Sequence, residues 1–143
     1  MPDVSHTTDI PASPEQVQAV AGDFSRYGEW NQVHDGFPDG TPTLEQGATF
    51  REKVTIMGMP GEATWKVTEY EPAHRIVLDG DGPMGIKLGS RLEIEPQDGG
   101  SRVTMHASFD GAPLQGPMGD AVANAAKAAA EQSLQKLEQL VVA

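Results

Sequence analysis

Between about residues 33 and 112 the chain alternates polar and apolar side chains in short runs, and Gly or Pro cuts each run off. No other feature limits the fold as much. A period of two puts every second side chain on one face, so each run reads as a half-buried strand. The runs are residues 48–56, 62–70, 75–79 and 86–95, then a last strand with Val103, Met105, Ala107 and Phe109 on one side. MetGlyMetProGly (57–61) should join the first two as a hairpin with a loop longer than two residues. Pro72 ends the second run, the glycines around Pro83 make another turn, and ProGlnAspGlyGly (96–100) leads into the last strand. Neighbours this close in sequence pair as an antiparallel meander.

The flanks read differently. Residues 4–10 alternate, with Val4, His6, Thr8 and Ile10 on one face, which makes a strand. Ser13, Pro14 and Gln16 then form a helix start of the capping-box kind. Val17, Val20, Ala21 and Phe24 follow at helical spacing. Ser25 is the expected cap of a second short helix that buries Tyr27 and Trp30. At the other end, Gly116 and Pro117 open a long helix running to about Val141. Its inward face carries Val122, Ala126, Ala129, Ser133, Leu137 and Leu140, and the middle of that face is small. One strand, two short helices, about six strands and one long helix imply an α+β fold, a single antiparallel sheet with its helices on one face.

At 143 residues the chain fits one domain, 1–143, able to bury roughly two thirds of its unfolded surface. It holds no cysteine, which excludes disulfides, thiolate metal sites and cysteine nucleophiles. Ten Lys and Arg against 21 Asp and Glu give a formal charge of −11, which repels phosphate backbones and anionic lipid. The start lacks a basic region followed by an apolar run, and no stretch approaches the ~20 apolar residues of a membrane span. These features lead us to expect a cytoplasmic protein with no nucleic-acid partner and no membrane insertion.

IleProAlaSerProGluGlnVal and the aromatic stretch after it (10–31), ValThrGluTyrGluProAlaHisArgIleValLeu (67–78), AspGlyGlySerArgValThr (98–104) and the helix after GlyProMetGly (116–119) resemble the SRPBCC superfamily of START-like, helix-grip proteins. The phrase ThrGluTyrGluProAlaHisArg is similar to one in polyketide cyclase/dehydratase-type members. The MetGlyMetPro turn, the AspGlyAspGly run and GlyProMetGly resemble an actinobacterial branch known as toxins of type II toxin–antitoxin pairs. The resemblance implies a seven-stranded antiparallel sheet curved around the C-terminal helix, with a cavity between them for an apolar molecule. It carries no shared catalytic motif. Asn31 and Gln32 stand where many relatives have a proline or a second aromatic.

Given such a cavity, its expected wall is Tyr27, Trp30, Phe50, Glu52, Trp65, Leu88, Ser90, Met105, Ala126, Ala129 and Ser133. Glu52 lies between Phe50 and Val54 on the apolar face of its strand. A carboxylate there must find a partner, take up a proton or face water in a cavity, unless a bulge turns it outward. Glu52 and His6 are therefore the candidate catalytic residues. His6 has an alternative role as a satisfied histidine near a strand start. His34 and Asp35 should point to opposite faces, and His34 reads as the exposed start of the second strand. His6, His34, His74 and His106 fall in no metal-ligand spacing, so neither a metal nor a cofactor is expected. The leading expectation is binding of a hydrophobic small molecule. The alternatives are a cyclase/dehydratase-type enzyme and a toxin with an antitoxin protein as partner.

Overall fold

A computed structural model of the protein describes residues 3–142. Met1, Pro2 and Ala143, which the expected domain includes, lie outside the described residues. The strands are β1 (Asp3–Ile10), β2 (His34–Gly36), β3 (Thr49–Ile56), β4 (Met59–Glu71), β5 (Arg75–Asp81), β6 (Lys87–Gln97) and β7 (Gly100–Asp110). Helix α1 (Pro14–Ala21) and a 3-10 helix (Phe24–Glu29) separate β1 from β2, and α2 (Pro117–Val142) closes the chain. The seven strands form one antiparallel sheet in the order β1-β7-β6-β5-β4-β3-β2. This is the expected α+β helix-grip architecture.

Local chemistry explains the joints. Ser13 and Gln16 complete a reciprocal capping box: Gln16 N–H donates to the Ser13 hydroxyl at 3.2 Å, and Ser13 N–H donates to Gln16 Oε1 at 2.8 Å. The cap of the 3-10 helix is Asp23, not the expected Ser25. The Asp23 carboxylate accepts the Ser25 N–H at 3.1 Å, one position after Gly22 ends α1. Gln18 ties α1 to the β4–β5 turn, donating to the Tyr70 hydroxyl at 2.9 Å and accepting the Ala73 N–H at 3.1 Å.

The β3–β4 connection differs from the expected long loop. Ile56 pairs with Met59, so the loop is only Met57 and Gly58, with φ of 56° and 74°. Two left-handed residues make the primed turn whose twist suits a tight hairpin. Pro60 had suggested a longer loop, yet it sits inside β4. Its partner Thr55 turns its own N–H away to the Val33 carbonyl, at 2.9 Å. The two are thus a non-hydrogen-bonded pair, and β5 joins β4 only from Thr64, so the proline nitrogen faces a free edge.

The core lies between the concave face of the sheet and the helices. Val17, Val67, Val103, Leu134 and Leu137 are fully enclosed, each worth about 1.5–3 kcal/mol of burial. Helix α2 makes its closest sheet approach at the edge strand β1. The space that remains lies over the strands farther from this contact.

Candidate functional site

A cavity of about 110 Å³ lies between α2 and the inner faces of β3, β4, β6 and β7. The helix offers Ala126, Ala129, Ala130 and Ser133, whose short side chains cannot reach the central strands. Val54, Ile56, Leu88, Met105 and Phe109 make the apolar wall, with Ser90 beside them. Tyr27, Asn31, Glu52 and Trp65 add polar groups to the lining.

Of the residues expected on the wall, Tyr27, Glu52, Trp65, Leu88, Ser90, Met105, Ala126, Ala129 and Ser133 do line this space. Trp30 and Phe50 do not. Trp30 is 2% exposed and meets the Tyr27 ring edge-on at 5.2 Å, which puts it in the core away from the cavity. Phe50 lies toward the end of β3 covered by the 3-10 helix. There it packs edge-on against Phe24 and Phe37, at 5.9 and 5.8 Å. Phe37, which sequence reasoning passed over, completes this cluster by stacking on Phe24 and Tyr27. His6 faces inward opposite Met105 on β1, where α2 comes closest, and it does not reach the cavity.

Glu52 is 4% exposed and no bulge turns it out. One carboxylate oxygen accepts the Trp65 indole N–H at 2.9 Å, and the other meets His34 Nδ1 at 2.5 Å. Trp65 can reach it because Gly80 is its partner on β5. A Cβ at Gly80 would lie 2.5 Å from the indole ring. His34 is not the exposed strand start that the sequence suggests, for its side chain is 7% exposed. His34 pairs with Val54, which shares the inner face with Glu52, so the strand register delivers the ring to the carboxylate. The rings of Phe37 and Tyr27 enclose it at 4.5 and 5.0 Å. Asp35 turns outward, as expected, and accepts the Thr55 hydroxyl.

The residues after the 3-10 helix hold the polar side of the cavity in place. Asn31 Oδ1 accepts the Val33 N–H at 3.1 Å. Burial, and secondly the charge of Glu52, push the Tyr27 hydroxyl well above the usual phenol range, while the neighbouring Asn31 amide pulls the other way. Ser133 accepts the Gln32 N–H at 3.0 Å and so pins α2 to the same loop. Among the described residues no group of three or more His, Asp or Glu is arranged to hold a metal ion. His74 sits in the β4–β5 turn, and His106 faces outward to Glu93 at 3.2 Å. No helix of the described residues is long and apolar enough to cross a membrane.

The family model described as polyketide cyclase / dehydrase and lipid transport matches residues 1–142. An uncharacterized protein of Mycobacterium tuberculosis is 33% identical over 141 residues, covering 98% of this chain and 99% of its own length. A second M. tuberculosis protein, which bears the name toxin, is 34% identical over 136 residues and covers 94% of each chain. A START superfamily protein from Mycobacterium smegmatis superposes with a TM-score of 0.72 at 26% identity, over 96% of this chain and 98% of that one. The matched model, these relatives and the sheet curved around α2 agree, and the chain belongs to the polyketide cyclase / dehydrase and lipid transport family, with the START-like fold.

Proposed function

We propose that the protein binds a hydrophobic small molecule in the cavity under α2, and that binding is its primary work. The observation that supports this most is the composition of the wall: apolar side chains dominate it, and its charged group, Glu52, already has two partners. The volume bounds the guest. A dry cavity of ~150 Å³ already takes up benzene, whereas pockets for larger organic ligands run to ~300–1,000 Å³. At about 110 Å³, below the benzene case, the space suits a guest no larger than a single ring or a short branched chain. A lipid tail or polyketide chain, which the family description brings to mind, would need α2 or the 3-10 helix to move outward. We place this work in the cytoplasm, which suits a chain without cysteine. Native mass spectrometry of protein isolated from its own host should show an added small apolar mass. Bare protein, together with no uptake of added benzene, would count against the reading.

A second reading has a specific observation behind it. His34 and Glu52 form a buried acid–base pair whose carboxylate lines the cavity, a combination that suits proton transfer in a cyclase or dehydratase. Turnover of an added β-hydroxy carbonyl compound, lost in Glu52→Gln, would favour it over binding alone. A toxin role with an antitoxin partner rests on the name of one relative. Co-purification of a small partner encoded next to this chain's gene would support that role, and growth unaffected by overexpression would remove it.

A further inference from the structure

Buried polar groups in an apolar cavity restrict what can enter, because each must keep its hydrogen bonds. Glu52 and Tyr27 both line this cavity and both are more than nine-tenths buried. The Glu52 carboxylate has four acceptor positions, of which the Trp65 indole and His34 occupy two, one on each oxygen. What remains is acceptor capacity with no donor. Tyr27 is complementary. It lines the same space, and its hydroxyl carries a proton to donate where Glu52 can only accept. The two groups come from different elements, the 3-10 helix and β3, and the Tyr27 ring packs at 5.0 Å against the same His34 ring that meets the Glu52 carboxylate at 2.5 Å.

We infer that Glu52 and Tyr27 form a hydroxyl-recognition subsite, and that the ligand is a neutral ring compound carrying one hydroxyl, held with its polar end at these two residues and its ring against Leu88, Met105 and Ala126. A hydroxyl is the group that both donates and accepts, so it satisfies the carboxylate and the phenol together. A carboxylate or phosphate on the ligand would face the Glu52 carboxylate in an apolar space, and a wholly apolar guest would leave the Tyr27 proton and the spare acceptor positions of Glu52 unused. His34 and Trp65 act as positioning residues that hold the carboxylate in place from behind. This inference rests on the binding reading above and narrows it to a ligand class.

Phenol and benzene separate the two ideas, since they differ only by the hydroxyl. In a plain apolar cavity benzene binds at least as well, because phenol gives up hydration on entry. With the subsite the order reverses, and phenol should bind about tenfold tighter or more. Titrations of the full chain are followed by NMR at the Trp65 indole N–H, assigned with a Trp30→Phe variant. Phenol should shift that resonance strongly through the shared Glu52. Tyr27→Phe and Glu52→Gln should each bring the affinities for phenol and benzene to within about threefold of each other. Should either variant fold poorly, the wild-type comparison alone decides. Benzene binding as tightly as phenol overturns the subsite and leaves the cavity standing. If neither compound binds, the subsite and the binding reading fall together.

Discussion

Ala129→Leu adds three carbons to the small face of α2, directly into the cavity. Each carbon group needs roughly the volume share of a water molecule, ~30 Å³, so the three ask for ~90 Å³. The cavity offers about 110 Å³, so the new side chain fits without moving the sheet. Transfer of the added carbons out of water is worth ~0.8 kcal/mol each, less ~0.5–1 kcal/mol of lost rotamer freedom. The expected change is stabilisation of up to about 1.9 kcal/mol. Helix propensity hardly enters, since leucine follows alanine closely. Had the alanines been there to let α2 press against the strands, the same change would overpack the contact and cost ~1–3 kcal/mol. Urea unfolding reads the difference as a midpoint that rises or falls at constant slope. The variant should also lose benzene binding. A clear fall in the midpoint, with benzene binding retained, would refute the placement of Ala129 on a cavity.

Other consequences follow from the same geometry. Glu52→Leu strands the Trp65 indole N–H and His34 in a buried setting and should cost about 1–3 kcal/mol. In a double-mutant cycle with His34→Phe the coupling should exceed about 0.5 kcal/mol, and additive losses would show that the pair does not interact. Met57→Asn replaces a non-glycine residue at φ 56° by one that tolerates the left-handed region. It should raise stability by about 0.5–1 kcal/mol in thermal or urea unfolding, provided the primed turn is right. Tyr27 is held neutral, with its folded pKa above its unfolded value of about 10. Its contribution is therefore complete below pH 10 and is lost as the unfolded phenol ionises, at about 1.4 kcal/mol per pH unit. Denaturation of wild type and Tyr27→Phe between pH 9 and 11.5 should show the wild type falling more steeply. Parallel curves would mean that Tyr27 is not buried.

Most of the architecture could be read from local signals, because the residues that make it carry their own chemistry. Ser13 and Gln16 announce a helix start three positions apart, and Gly116 and Pro117 announce α2. The alternation through β3 to β7 shows which face is buried, so Leu88 and Met105 read as inward from the sequence, and Glu52 does too unless a bulge turns it out. The small face of α2 was equally visible. What failed were features set by three-dimensional register. Met57 before Gly58 does not look like a primed turn, and Pro60 hides the continuation of β4; only the pairing of Ile56 with Met59 reveals both. His34 was lost for a similar reason. Strand β2 spans only His34–Gly36, with an irregular register, too short for a period to be read. A signal did exist, since a carboxylate on an apolar strand face demands a partner and β2 pairs with that strand. Asking which nearby residue could satisfy Glu52 would have led to His34. Trp30 was expected on the wall because the resemblance implies short helices closing one end of a cavity, and Phe50 because it shares a strand face with Glu52; neither signal says which helix covers which end of the sheet.

The central claim is that the space under α2 is an apolar cavity open to small guests. A crystal of the protein held under xenon pressure tests it most directly, because xenon enters dry apolar cavities and makes no hydrogen bonds. A xenon atom should lie in contact with Leu88, Met105, Phe109 and Ala126, and none should lie there in Ala129→Leu. Xenon confined to the protein surface, with α2 in close contact with β6 and β7, would contradict it.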